Sequence, residues 1–490
     1  MNTRLSIFII LLSVFWQGGL AQNTFEFELN YDMRKRSYMA IEDESGNIIA
    51  LIGERTGVDY APNSAIRSYL LKFSPEGDTS TITYNFGDTL YNFNKIQKDY
   101  HNGYLLIGQA LVADSDKMYL MIVKVDESFN KVWVKYHDIG DYFSIYAKKL
   151  FQFNNKNLLV VSTCDFPCSS SYFNFIWIDV TGNILSLTQF DQRSVTNSDF
   201  LLSPDSSQLW VISMGMNSNF WGSWPIRMKF DTTFQFLEAE YLHFGGHGNI
   251  NAKWLNDSSI LYSFEQTRPN GGSNDSEMWL SITDTLLNIE YDNYFGEQDM
   301  KDIPGYGKNI DFLNSDSIFF MGFKHQKIGI PNPGRVNWIM TGQTDNQLQP
   351  RYLRFYGGDR YYEGFYVLAT RDGGSFVCGA WYNHDTHVYN PVFLKLNEQG
   401  LITGSSEISI PDRKTIFWPV PFTSQLNYQT AEAQFELQLY DNMGRLVLEK
   451  SADQSEGSIA VDHLNQGLYF YKLTYTNNNP PEIGRILKTR

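Results

Sequence analysis

"FNKIQKDYHNGYLLIGQALVADSDKMYLMIVKVDESFNKVWVKYHD", residues 93–138, holds four apolar runs in simple succession. Residues 93–97 read as a strand and 99–103 as a turn. Residues 104–110 are a second strand, followed by a longer loop through Asp114 and Asp116. Residues 118–126 are a third strand, "ESFN" a turn, and 131–138 a fourth strand. The runs are rich in Val, Ile, Leu and Tyr, which suit a pleated, half-buried surface. The reversals carry Asp, Asn or Gly, whose short side chains or free φ suit tight turns. Four strands joined by hairpins make one antiparallel sheet.

The unit recurs at a period of fifty to sixty residues. Its second strand appears as "NIIALIG" (47–53), "YLLIG" (104–108), "NLLVVS" (157–162), "QLWVIS" (208–213), "SILYSF" (259–264), "SIFFMG" (317–322) and "SFVCG" (375–379). Seven four-stranded units in tandem predict an all-β fold, a seven-bladed β-propeller over residues 22–403. "TFEFELN" (24–30) alternates as a strand yet precedes the first full unit. It is expected to serve as the outer strand of the last blade, closing the ring and removing its exposed edges. A linear solenoid is the rival, but its repeats are usually shorter and its ends need caps.

Between units stand "FGD" (86–88), "IGD" (139–141), "FGGHG" (244–248), "FGEQD" (295–299) and "YGGD" (356–359). One such motif alone suggests a phosphate cradle. Recurrence at one place in five units points instead to Gly supplying positive φ where the chain leaves the outer strand, with Asp capping the turn. Together with "DGG" at 372–374, the pattern resembles secreted bacterial propeller repeats of the SBBP type over most of residues 37–400.

The ends of the chain carry transport signals. Arg4, the apolar run Leu5–Trp16 and the small residues Gly19-Leu20-Ala21 make a signal peptide, with cleavage expected after Ala21. No cysteine follows that run, and no later stretch approaches eighteen apolar residues, so no span is expected in the mature chain. Residues 404–414 read as a linker. Beyond them, Pro419, Pro421 and Phe422 lead to the hairpin residues Tyr440, Asp441, Gly444 and Arg445. Leu464, Gly467 and Tyr469 follow, and Lys488 lies in a basic end. This order, over residues 415–490, resembles the type A C-terminal sorting domain of the type IX secretion system. Val420 stands where that family usually has Asn. The resemblance implies a small β-sandwich read by an outer-membrane translocon, and a secreted or cell-surface protein.

The net charge of −15 argues against nucleic acid as a partner, since phosphate backbones need a basic stripe. Cys164 and Cys168 flank "DFP", and an exported location suits a disulfide there; a metal pair is the other reading, but no His or second Cys pair accompanies it. Cys378 reads as a buried free thiol. H-E-x-x-H and G-x-S-x-G are both absent, and no metal or cofactor is expected. His384 and His387, with Asp385 between them, can face one ion but read more simply as surface residues. Two classes of function remain: a non-catalytic binding or adhesion propeller, and a secreted hydrolase or lyase acting on polysaccharide or peptide. The first is favoured. Its ligand, a glycan or peptide, is expected on the loops between second and third strands. Tyr60, Trp221, Trp224, Arg268, Trp381, Tyr382, His384 and His387 lie in those stretches, and flat rings there lose little entropy on binding.

Overall fold

The computed structural model describes residues 24–489, apart from 30–33, 56–65, 113–114, 116, 165–170, 191–197, 215–224, 243–246, 268–274, 298–299, 326–335, 403–414, 419–421, 431–432, 442–444 and 476–481. The expected signal peptide and linker therefore lie outside the described residues, as do Tyr60, Trp221, Trp224, Arg268 and Cys168. The chain divides into two compact units, 1–404 and 405–490. Among the described residues no helix is long and apolar enough to cross a membrane.

The body is an all-β propeller. A short strand β1 (Phe25–Glu28) comes first. Unit 1 is β2 (Arg34–Glu42), β3 (Ile48–Arg55), β4 (Ile66–Phe73) and β5 (Thr79–Thr83). Unit 2 is β6 (Leu90–Lys98), β7 (Tyr104–Leu111), β8 (Met118–Val125) and β9 (Lys131–His137). Unit 3 is β10 (Ser144–Gln152), β11 (Lys156–Cys164), β12 (Ser171–Asp179) and β13 (Ile184–Phe190). Unit 4 is β14 (Asp199–Leu202), β15 (Gln208–Met214), β16 (Pro225–Asp231) and β17 (Phe236–Tyr241). Unit 5 is β18 (His247–Trp254), β19 (Ser259–Thr267), β20 (Ser276–Asp284) and β21 (Ile289–Phe295). Unit 6 is β22 (Lys301–Pro304), β23 (Ile310–Asp311), β24 (Ile318–Lys324), β25 (Trp338–Thr344) and β26 (Pro350–Gly357). Unit 7 is β27 (Tyr361–Ala369), β28 (Ser375–Asn383) and β29 (Val388–Leu396).

Burial explains why the second strands are so legible. Residues Tyr104–Ala110 of β7 are all buried, whereas the outer strand β9 has no buried residue. A strand covered on both faces reads as a continuous apolar run; an outer strand keeps one side for water.

Unit 7 lacks a fourth strand of its own, and β1 supplies it, pairing antiparallel with β29 in the register Phe25↔Lys395 to Glu28↔Val392. Five phenylalanines seal the seam with unit 1. The Phe73 ring lies 5.2 Å from Phe25, 5.4 Å from Phe27, 5.4 Å from Phe376 and 5.1 Å from Phe393. Phe73, Phe376 and Phe393 are fully buried.

One turn repeats in all seven units after the third strand. Its first residue is Ser74, Asp126, Asp179, Asp231, Asp284, Asp345 or Asn397. In each, the side-chain oxygen accepts from the amides two and four residues on, as Asp126 does from Ser128 (2.9 Å) and Asn130 (2.8 Å). The fourth residue has φ between +60° and +92°: Gly77, Phe129, Gly182, Phe234, Leu287, Leu348 or Gly400. A side chain there costs about 1–2 kcal/mol. Phe129, Phe234 and Leu348 are buried, which returns about 1.5–3 kcal/mol each, so burial offsets the strain. The carbonyl of this residue accepts from the unit before it: Tyr84 Oη to Phe129 (3.0 Å), His137 Nε2 to Gly182 (2.7 Å), Asn293 Nδ2 to Leu348 (2.9 Å) and Tyr356 Oη to Gly400.

The recurrent inter-unit glycines take positive φ, as predicted: Gly87, Gly140, Gly248, Gly296, Gly357 and Gly358. At Gly358 a Cβ would also meet Trp338 Nε1 at 2.1 Å. The sixth unit departs from the repeat. Its inner strand is broken at Gly305–Gly307, β22 pairs in parallel with β20 of unit 5, and the break reaches the next unit through Tyr306 N donating to Gly364 O (2.9 Å). Cys164 ends β11 and is disulfide-bonded; Cys378 is free and buried, and burial pushes its thiol up to about 12.

The second compact unit has a three-stranded sheet, β30 (Thr415–Trp418), β31 (Gln425–Thr430) and β34 (Glu456–Ala460). Its four-stranded sheet orders β33 (Leu446–Ala452), β32 (Phe435–Tyr440), β35 (Gly467–Tyr475) and β36 (Glu482–Lys488). Both sheets feed one core around Leu426, Tyr428, Leu437, Leu439, Ile459 and Tyr471.

Phe73→Ala should lower body stability by about 3–5 kcal/mol in equilibrium denaturation, because it empties the seam. The exposed Tyr100→Ala should shift it by no more than about 0.5 kcal/mol. The turn aspartates predict acid behaviour. The side chains of Asn130, Thr233 and Asn288, with the turn amides, hold the carboxyls of Asp126, Asp231 and Asp284 below their ordinary 3.8. Depressed carboxyls contribute stability above their unfolded pKa and lose it as pH falls through the folded one. Stability should therefore hold down to about pH 4 and drop below it. The D126N/D231N/D284N variant should be less stable at pH 7 and show a shallower acid loss in pH-dependent thermal melts.

Candidate functional site

At the junction of units 7 and 1, one end of three strands gathers polar groups. Arg36 on β2 points its NH2 at Glu363 Oε2 on β27, 3.4 Å away. Its guanidinium lies 5.0 Å above the Tyr389 ring and 5.4 Å above Phe365. Arg36 Nε is buried without an acceptor. Tyr389 stacks edge-on at 5.0 Å against Tyr382, whose hydroxyl lies 3.3 Å from His387 Nδ1. His384 packs on the other side of Tyr382 at 5.1 Å. Burial, then the Glu363 carboxylate, pushes the Tyr389 phenol well above its ordinary range. An arginine fork, a carboxylate and two phenols on an aromatic bed can hydrogen-bond and stack on a ligand.

Four of the predicted ligand residues fall among the described ones, and they separate into two pairs. His384 is half-buried and His387 exposed, both in the turn after β28. Trp381 and Tyr382 require a correction. The expected loop at 380–390 does not exist at that length, because β28 runs to Asn383 and β29 starts at Val388. Both rings are buried. Trp381 belongs to the core between units 6 and 7, capped by the Arg360 guanidinium 4.2 Å above its ring, with Arg360 held by Glu28 at 3.1 Å. Trp381 is a core residue, and Tyr382 meets the candidate site from a buried strand, with its ring against Tyr389 and its hydroxyl by His387. Among the described residues no group of three His, Cys, Asp or Glu can hold a metal ion.

Sequence reasoning missed Arg36 and Glu363. Their spacing of over three hundred residues hides the pair until the ring closes. A concavity of about 390 Å³ opens by the turns of units 6 and 7 beside Arg351, Arg354, Tyr352 and Gln399. Its lining includes the turns at Ser317, Gly373 and Glu398-Gln399, and none of it comes from the loops where a ligand was expected.

In the terminal unit the sorting residues converge. Asp441 accepts from Arg445 N (3.0 Å) and Arg445 Nε (2.8 Å), closing the hairpin turn. Phe422 is fully buried, 6.4 Å from the Tyr469 ring, and its carbonyl accepts from Thr489 N at 2.8 Å. Tyr469 Oη donates to Asn465 O at 2.5 Å. Lys488 is buried, and its ammonium caps the carbonyls of Val461 and Asp462. Leu464 and Tyr469 share the core with Phe422, so the opening motif and the basic end meet in one place. Pro419, Pro421 and Gly444 lie outside the described residues.

Among curated proteins none matches the chain. Solved structures resemble it at low identity. A puromycin hydrolase is 10% identical with a TM-score of 0.46, over 90% of this chain and 58% of its own. A Dyadobacter fermentans protein of unknown function is 11% identical with a TM-score of 0.42, over 76% of this chain and 97% of its own. The phage phi92 endosialidase is 9% identical with a TM-score of 0.42, over 95% and 87%. The family described as the secretion system C-terminal sorting domain matches residues 416–482. Those residues are a type IX C-terminal sorting domain, and the protein that carries them is exported to the cell surface or secreted across the outer membrane.

Proposed function

We propose that this exported propeller is a non-catalytic binding protein that holds a glycan or peptide at the junction of units 7 and 1. The observation that carries the reading is the Arg36–Glu363 pair lying on Tyr389 beside Tyr382 and His387. Each group there is a recognition group. Arg36 has an unused donor at Nε, the phenols can donate and accept, and the ring faces suit a sugar or a flat side chain. The terminal domain is the address, and the body is what reaches the outside.

Glycan and peptide arrays on the purified body identify the ligand. The R36Q/E363Q double variant removes both charges and leaves no lone buried ion. It should weaken binding at least tenfold while moving the melting temperature by no more than a few degrees. Binding as tight as wild type, or turnover of any array component, would remove this reading. Deleting residues 415–490 should leave a folded body inside the cell envelope. Its appearance on the surface or in the medium at wild-type level would contradict the use of the terminal domain as the address.

A further inference from the structure

The inner strands bring charge to the axis of an otherwise acidic protein. Lys95 comes from β6, Lys148 and Lys149 from β10, Asp199 from β14, Lys253 from β18, Asp311 from β23, and Lys308 from the break before β23. The inner strands of units 2 and 3 carry a bulge here, with Asn94 and Lys148 as the extra residues, which re-aims the side chains that follow. The groups sense one another's charge between units. Lys95 of unit 2 feels the charges of Lys149, Asp199 and Lys308, from units 3, 4 and 6. Lys253 of unit 5 feels Asp311, Lys308 and Lys149.

The charges do not balance. Lys149 pairs with Asp199 at 2.9 Å, while Lys253 and Lys308 share Asp311 Oδ1 at 2.7 and 2.8 Å. Both carboxylates are further committed to backbone: Asp199 Oδ2 accepts from Ala252 N (3.1 Å) and Asp311 Oδ2 from Ala369 N (2.9 Å). Among the described residues Lys95 donates only to the carbonyl of Lys148, at 3.4 Å. Five lysines against two carboxylates leave basic groups in excess at the axis. Lys149, Lys253 and Lys308 are each about one-third exposed, so the space they line admits solvent. Burial, followed by the neighbouring Lys149, pushes the Lys95 ammonium down to about 7, the response of a cation lacking a counter-ion.

We propose that the centre of the ring is a binding site for a small doubly charged oxyanion such as inorganic phosphate or sulfate, held by Lys95, Lys148, Lys149 and Lys308. Ammonium groups from units on opposite sides suit a tetrahedral anion, which offers an oxygen in each direction. The site is separate from the cluster around Arg36 and does not rest on the function proposed above.

Calorimetric titration of the full mature chain with inorganic phosphate, and in parallel with sulfate, tests the proposal. Binding of either anion is expected, with a matching rise in melting temperature. K95M and K148M remove the two lysines of the group that have no ion pair among the described residues, and each should weaken binding about tenfold. Neither should lower the melting temperature in anion-free buffer, because each takes away an uncompensated charge. K98M alters an exposed lysine at the end of β6, the strand that carries Lys95, where it pairs with Glu44 of unit 1, and it should bind as wild type. Absence of binding by either anion to the folded chain overturns the proposal. So does wild-type affinity in the K95M/K148M double variant, and so does a loss of anion-free stability with affinity unchanged, which would make the lysines structural.

Discussion

A β-sheet ends in a row of unpaired amides and carbonyls, and this body avoids a free end by giving its first strand to its last sheet. Strand β1 satisfies the edge of β29, and Phe25 and Phe27 bring apolar surface to the seam with Phe73. Without that strand, unit 7 would have three strands and an open edge, the usual route to aggregation. The Arg36–Glu363 cluster and the central lysines both depend on the same closure, because each joins units far apart in sequence.

The axis and the outer surface carry opposite charge. The chain as a whole has a net charge of −15, yet the groups around Lys95 sum to a positive centre. Asp199 and Asp311 do double duty there. Each neutralises lysine charge with one oxygen and with the other fastens the inner strand of the next unit. Removing either carboxylate would therefore loosen two neighbouring units as well as the charge balance.

What the sequence shows plainly is what burial makes uniform. The second strands are apolar from end to end because they are covered on both faces, and the turns announce themselves through Asp, Asn and Gly. The closing strand was legible in the alternation of "TFEFELN". Other features were not. Trp381 and Tyr382 looked like loop aromatics because a buried strand and an aromatic loop share the same residues, and only pairing with Asn390 and Tyr389 tells them apart. The broken inner strand of unit 6 reads as an ordinary Pro-Gly loop. Lys95 and Lys149 look like solvent-facing positions of half-buried strands. Their true neighbours come from other units, and a local pattern carries no trace of them.

The joints between units set terms for how the repeat could diverge. The acceptor at four of the joints is a main-chain carbonyl, that of Phe129, Gly182, Leu348 or Gly400, so it is presented identically whatever side chain its residue bears. The donors are free to differ, and they do: phenol, imidazole, amide and phenol. Duplicated units can thus drift until their sequences barely align while these four joints keep their contact. The contact is written in backbone, and mutation cannot erase backbone.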